Sequence, residues 1–147
     1  MQVLKVKKLR ENAQMIKRAT SGSAGMDLHA CIENDIIINP GEIKVIPTGL
    51  AIALENENYV AYIYARSGLA IKHGITLANC VGVIDSDYRG EVCVGLTNIS
   101  NTPYTITQQE RIAQLVIAPV CTCTAIEVDE LDKTIRGEGG FGSTGKN

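Results

Sequence analysis

The apolar positions of this chain recur at every second residue over most of its length. Leu50, Ile52 and Leu54 alternate with small residues, Val60, Tyr62 and Tyr64 share one face, and Val92, Val94 and Leu96 share another. Ile36, Ile37 and Ile38 form a continuous apolar run. A period of two predicts short strands. Turn residues punctuate them at Asn39-Pro40-Gly41, Pro47-Thr48-Gly49 and Ser100-Asn101-Thr102-Pro103. Regular spacing of short strands predicts an all-β sandwich, jelly roll or barrel. Val3 to Lys7 alternates apolar with lysine, the pattern of an edge strand whose solvent face is charged. One stretch reads as helical, Ser67 to Lys72, with Ser67 as N-cap and Gly74 as the C-terminal stop.

The 147 residues carry a formal net charge of −2, and no apolar run approaches the roughly 18 residues that a membrane helix requires. Met1 to Arg10 lacks the apolar core of a secretory signal, so a cytoplasmic protein that does not engage membranes is expected. Five cysteines, none in a C-x-x-C spacing, are expected to be reduced and mostly buried, with Cys121 and Cys123 as small apolar fillers. Six of the fourteen basic residues precede Ala19. That bias could mark a nucleic-acid patch, but Lys5 and Lys7 fit the solvent face of an edge strand, and no stable nucleic-acid binding is expected.

The carboxy terminus is compositionally distinct, since Gly137 to Asn147 hold five of the fourteen glycines. A single β domain over residues 1–136 followed by a flexible arm over 137–147 is expected. Phe141, the only phenylalanine in a chain without tryptophan, lies in that arm. An aromatic on a glycine-rich segment can close over a flat ligand, with Arg136, Ser143 and Thr144 supplying donors to phosphate, or the segment is an inert tail.

Other candidate groups are scattered along the chain. Arg66, Arg89, Arg111 and Arg136 sit beside glycine, serine or glutamine, which suits forked recognition of a polyanion as well as surface ion pairs. Asp85 and Asp87 follow the apolar run Val81 to Ile84, where Asp85 is either a turn cap or a group facing a water. Asp27, between Met26 and Leu28, is either a loop carboxylate or a group facing a cation. His29 and His73 are assigned to packing or surface.

Five segments taken together are far more specific. Ala24-Gly25-Met26-Asp27-Leu28, Arg66-Ser67-Gly68-Leu69-Ala70, Gly82 to Gly90 (GVIDSDYRG), Glu110-Arg111-Ile112-Ala113-Gln114-Leu115 and Arg136 to Gly145 (RGEGGFGSTG) resemble, in this order, the five motifs of the homotrimeric dUTP diphosphatases, or dUTPases. Gln109 stands where the fourth motif usually has a turn glycine, and Glu110 where it has aspartate.

The resemblance implies a jelly-roll-like β-barrel with one short helix, a homotrimer with active sites at subunit interfaces, and a carboxy-terminal arm that closes over nucleotide. It implies hydrolysis of dUTP to dUMP and pyrophosphate with Mg²⁺, limiting uracil in DNA and supplying dUMP for thymidylate synthesis. By the same likeness Asp85 activates the attacking water and Asp27 holds the metal through water. Arg66, Ser67, Gly68 and Gln114 resemble phosphate-side positions, and Arg136, Gly142, Ser143 and Thr144 those of the arm. Phe141 resembles the aromatic that stacks on uracil. Asn79 and the backbone through Val83 resemble the uracil pocket, and Tyr88 the residue packed under deoxyribose. Cys80, beside Asn79, is expected to confer sensitivity to thiol reagents. The related dCTP deaminases share the fold, but Asp85-Ser86-Asp87-Tyr88 favours the diphosphatase. A nuclear location is compatible with the same likeness in a eukaryote.

Overall fold

The computed structural model describes residues 3–140. Ten strands fall in chain order: β1 (Lys5–Lys8), β2 (Met26–His29), β3 (Ile36–Ile38), β4 (Ile43–Ala53), β5 (Tyr59–Ala65), β6 (Ile75–Leu77), β7 (Gly82–Ile84), β8 (Glu91–Asn98), β9 (Tyr104–Ile106) and β10 (Arg111–Pro119). They form two four-stranded sheets, β1-β4-β8-β6 and β2-β10-β5-β7, and a two-stranded ribbon, β3-β9. Every pairing is antiparallel. Leu28, Ile46, Ile63, Val94, Leu96 and Leu115 belong to one core cluster drawn from both sheets. This is the all-β class that the two-residue period predicts, and it is consistent with the jelly-roll-like fold that the resemblance implies.

Alternation places side chains as expected along β8, where Val92, Val94 and Leu96 are buried, and along β1, where Lys5 and Lys7 are exposed at the sheet edge. On β5, Tyr62 and Tyr64 share a face, with ring centroids 6.0 Å apart, while Ala61 and Ile63 turn into the core. Asn98 is fully buried at the end of β8. Its amide donates to the carbonyls of Ile38 (2.9 Å) and Thr102 (2.8 Å), and its side-chain oxygen accepts from Ser100, so the predicted turn at 100–103 is tied to β3.

Three expectations are corrected. Pro47-Thr48-Gly49 does not end a strand, because β4 runs through it with a shift of register against β8 between Pro47 and Ala51. The local polar groups are satisfied across the irregularity: Thr48 Oγ1 donates to the Val92 carbonyl (2.6 Å) and the Gly49 amide donates to Glu91 Oε1 (2.7 Å). The helix α1 spans Ser67–His73, but Arg66, extended at φ −87° and ψ 127°, is its N-cap, and no side-chain cap bond is made. Ser67 is therefore the first helical residue, while Gly74 closes the helix in the left-handed region as expected. Finally, of five free cysteines only Cys31 is buried, and Cys80, Cys93, Cys121 and Cys123 are exposed. Cys121 and Cys123 lie beyond the last strand, where there is no core for them to fill.

The turn into β10 shows how the chain manages without the usual glycine. Gln109 itself adopts φ 61°, its amide donates to the Ala30 carbonyl (2.9 Å), and Glu110 closes the turn by accepting from the Thr107 amide (3.0 Å) and the Tyr104 hydroxyl (2.6 Å). Left-handed backbone costs a side-chain-bearing residue about 1 kcal/mol, part of which glycine returns as unfolded-state entropy. Gln109→Gly should therefore raise stability by about 0.5 kcal/mol in denaturant titrations, and a loss would sink this account. Burial, reinforced by the Glu110 carboxylate, pushes the Tyr104 hydroxyl up to about 12. The fold favours the neutral phenol, so this contribution is complete below about pH 10 and is lost as pH rises toward 12. Tyr104→Phe should remove that alkaline dependence.

Candidate functional site

The register of β10 organises one cleft. Its central residue Gln114 pairs with Asp27 on β2 and with Tyr64 on β5, so residues far apart in sequence meet at one end of the sheet. The side-chain amide of Gln114 donates to the Ala65 carbonyl at 3.0 Å, one residue before Arg66. Arg66 Nε reaches Asp27 Oδ1 at 3.1 Å and Arg111 Nη1 reaches Oδ2 at 3.3 Å. Two guanidinium groups against one carboxylate leave this cleft electropositive. With Ser23, Gly25, Ser67 and Gly68 they bound about 350 Å³.

The two glycines of this cleft have different reasons. A Cβ on Gly25 would stand 2.5 Å from Gln114 Oε1 and 3.2 Å from its Cβ, so the glycine lets β2 approach β10 closely. A Cβ on Gly68 would meet nothing within 4 Å. Gly68 is thus not required by the packing of its own chain, and it leaves room beside Arg66 and Ser67 for an occupant from outside. Ser67 and Gly68 precede the first helical bond, from the Ala70 amide to the Arg66 carbonyl, so their amides lie at the positive end of a short turn.

A second cleft, of about 240 Å³, lies along β7 and the start of β8 and is lined by Asn79, Val83, Asp85, Tyr88, Glu91 and Cys93 among others. The Tyr88 amide donates to the Asp85 carbonyl at 3.2 Å, closing a tight turn that leaves Asp85 exposed at the mouth. Arg89 folds back to donate to the carbonyls of Ser86 (2.7 Å) and Tyr88 (2.8 Å), bracing the same loop. Cys80, at φ 61°, precedes β7 and is exposed, and Cys93, also exposed, lines the cleft itself, with its thiol pushed up by partial desolvation and by the Glu91 carboxylate.

The two clefts are apart on one chain. Ile84 pairs with Ala61 near the start of β5, whereas Arg66 follows its far end. At about 3.3 Å per residue, Asp85 and Arg66 lie roughly 20 Å apart along the strand direction. The sequence-predicted residues therefore divide into Asp27, Arg66, Ser67, Gly68 and Gln114 on one side and Asn79, Val83, Asp85 and Tyr88 on the other. Arg136 joins neither group; it is exposed and its guanidinium bonds the Gly139 carbonyl at 2.9 Å. Phe141, Gly142, Ser143 and Thr144 lie outside the described residues.

Arg111 and Glu91 were not singled out as site residues by the sequence, although Arg111 had been noted among the arginines near polar neighbours. Only the pairing of β10 with β2 brings Arg111 to Asp27. His29, two residues beyond Asp27, carries a buried Nδ1 with no hydrogen-bond partner among the described residues, and burial lowers its pKa against the opposing pull of Asp27, with Arg111 and Arg66 adding to the lowering. His73 is at the surface and packs against Tyr104, ring centroids 4.9 Å apart. A further cleft, about 430 Å³, is lined by Val3, Leu4, Leu54, Tyr59 and Ile117 with Arg18, Met26 and Glu55, and shares no residue with the other two.

Comparison with known proteins places these features in a family. A family model described as dUTPase matches residues 11–145. The chain is 55 % identical over 143 residues to the deoxyuridine 5'-triphosphate nucleotidohydrolase of Nautilia profundicola, covering 97 % of this chain and 99 % of that one. It is 49 % identical over 144 residues to the enzyme of the same name from Paraburkholderia phymatum, covering 98 % and 97 %. A solved dUTPase of Staphylococcus bacteriophage 80alpha with dUPNHPP superposes with a TM-score of 0.88 at 30 % identity, covering 97 % and 98 %. A mutant dUTPase from phage phi11 of S. aureus, described as coordinating a structural Mg(II) ion, superposes at 0.78 with 27 % identity, covering 87 % and 97 %.

The crowding of Gly25 against Gln114 can be tested directly. Gly25→Ala should destabilise the chain by about 1–3 kcal/mol, and adding Gln114→Ala should return part of that loss. Additive losses in denaturant melts would contradict the contact.

Proposed function

The chain belongs to the dUTPase family and hydrolyses dUTP, and from that premise we propose how its residues divide the work. Water attacks the α-phosphorus in line with departing pyrophosphate, giving dUMP, and Asp85 orients that water and accepts its proton. Asp85 is suited to this because it stands exposed at the mouth of the second cleft, on a loop braced by Arg89. Asn79 and the backbone to Val83 bind the base in that cleft, and Tyr88 packs against the sugar. A hydrogen-bonded base pocket rejects an analogue that leaves buried groups unpaired, commonly by roughly 10⁴-fold or more.

The observation that carries this reading is the electropositive cleft beside an unfilled Gly68. Arg66, Arg111, Ser67, Gly68 and Gln114 can take the triphosphate, because forked donors match phosphate oxygens and Gly68 leaves space for them. Catalysis then rests on positioning and on neutralising charge as the pyrophosphate leaves.

The residues present suit Mg²⁺ only as a shared ion. Among the described residues no group of three or more His, Cys, Asp or Glu comes together, and both Asp27 oxygens already accept from arginines. Asp27, with its oxygens already engaged, would hold such an ion through water rather than directly. So bound, Mg²⁺ supplies charge neutralisation for the triphosphate.

Asp85 and the phosphate cleft must come together, and the roughly 20 Å between them on one chain supports a homotrimer whose active sites combine clefts of different subunits. Exposed apolar side chains, among them Val83 (62 %), Ile71 (86 %) and Ile126 (78 %), support burial against further copies. Residues 1–136 act as the β domain, and the arm over 137–147 closes with Phe141 on uracil and Arg136, Gly142, Ser143 and Thr144 at the phosphates. The enzyme limits uracil incorporation and supplies dUMP for thymidylate synthesis in the cytoplasm. Among the described residues no helix is long and apolar enough to cross a membrane.

Product-resolved hydrolysis of dUTP and dCTP, with Mg²⁺ and with chelator, tests the mechanism. Asp85→Asn should lower kcat at least about 100-fold while nucleotide still binds, and chelation should suppress turnover of the intact enzyme. Full activity of Asp85→Asn, or deamination of dCTP, would overturn it.

A further inference from the structure

Glu91 leaves the loop that carries Asp85 and opens β8, and its carboxylate is held by two separate parts of the chain. Oε1 accepts from Arg10 Nη1 at 2.8 Å and from the Gly49 amide at 2.7 Å, and Oε2 accepts from Arg10 Nη2 at 3.1 Å. Arg10 also donates to the Cys31 carbonyl at 3.3 Å. The Gly49 amide is available because β4 shifts register there, with Pro47 opposite Cys93 and Ala51 opposite Glu91. Gly49 sits at φ 69°, and a Cβ on it would stand 2.7 Å from the Ala13 Cβ and 2.8 Å from Cys31 Sγ. The irregularity is thus locked on one side by packing and on the other by the Glu91 carboxylate.

The backbone of the same residue reaches into the second cleft. The Tyr88 hydroxyl donates to the Glu91 carbonyl at 3.0 Å, and the phenol end of the Tyr88 ring lies close to Gly90, where a Cβ would stand 2.6 Å from Cζ. Tyr88 is therefore tethered at its hydroxyl and hemmed in at the same end by Gly90, although 45 % exposed. Both Tyr88 and Glu91 line the cleft that contains Asp85. A forked guanidinium on a carboxylate fixes orientation as well as distance, and a third donor on Oε1 leaves that carboxylate little freedom. Choosing between sugars that differ by one hydroxyl requires a packing surface fixed to a fraction of an ångström.

We propose that the Arg10–Glu91 pair is a positioning element that fixes the Tyr88 ring and thereby sets the preference for deoxyribonucleotide over ribonucleotide. It rests on the reading above that Tyr88 packs against the sugar. Arg10, some eighty residues before the cleft, acts through Glu91 and touches no nucleotide.

The test is a double-mutant cycle on the full-length enzyme, with kcat/KM measured for dUTP and for UTP. Arg10→Met and Tyr88→Phe should each lower the dUTP/UTP ratio by about threefold or more, and the double variant should fall no further than the lower single one. Arg10→Lys, which keeps the charge but not the fork, should lie between wild type and Arg10→Met, and it carries the test if Arg10→Met fails to fold. A lowered melting temperature with an unchanged dUTP/UTP ratio in the Arg10 variants would reduce the pair to a structural tie and overturn the proposal. Additive losses of the ratio in the cycle would overturn it as well. Tyr88→Ala separates this from the underlying reading: if that variant keeps the wild-type ratio, it is the placement of Tyr88 at the sugar that fails.

Discussion

The antiparallel register of β10 between β2 and β5 is the constraint on which the phosphate side of this molecule depends. Gln114 stands opposite Asp27 on one side and Tyr64 on the other. A slip of one residue would turn Gln114 into the core and Leu115 out of it, since successive side chains face opposite sides of a strand. Burial of Ile112, Ala113 and Leu115 therefore holds the functional face in place without any contact of its own to a ligand. The irregularity between Arg111 and Ala113 in the pairing with β2 brings Arg111 to the Asp27 carboxylate. Packing and electrostatics are fixed by the same strand.

The second cleft is built on different means. Its loop, from Asp85 to Gly90, has few buried side chains and is held by hydrogen bonds: Tyr88 to the Glu91 carbonyl, Arg89 to the carbonyls of Ser86 and Tyr88, and Arg10 and the Gly49 amide to the Glu91 carboxylate. Such a loop can present an exposed carboxylate in one orientation without burying it. One half of the chemistry thus rides on a hydrophobic register and the other on a polar scaffold, and the register of β7 on β5 sets the distance between them.

Much of this was legible in the sequence, for physical reasons that differ by element. The turns at Asn39-Pro40-Gly41 and Ser100 to Pro103 carried their own local chemistry, and the alternation in β8 reported a half-buried sheet directly. Pro47-Thr48-Gly49 had the same local signals, yet the strand continues because Val92 and Glu91, more than forty positions away, satisfy the polar groups there. Cys121 and Cys123 misled because a general tendency of thiols to be buried says nothing of a segment that lies beyond the last strand, and Cys93 because it takes the outward position between Val92 and Val94 on β8. The motif residues could be named in advance, but their division between two clefts could not, since it follows from strand register. Arg111 is a candidate for polyanion recognition from the sequence, but its contact with Asp27, like the place of Glu91 beside the second cleft, becomes visible only through that register.

The lysines of β1 have a consequence for the behaviour of the protein in solution. A formal charge of −2 over 147 residues gives weak overall repulsion between molecules, so resistance to edge-to-edge stacking falls to a local row, Lys5, Lys7 and Lys8, on an edge strand. Repulsion between such rows reaches only about 8 Å at physiological ionic strength and about 3 Å in molar salt. Protection of this edge is thereby set by the ionic medium more than by the net charge, through one short strand that has no part in the chemistry.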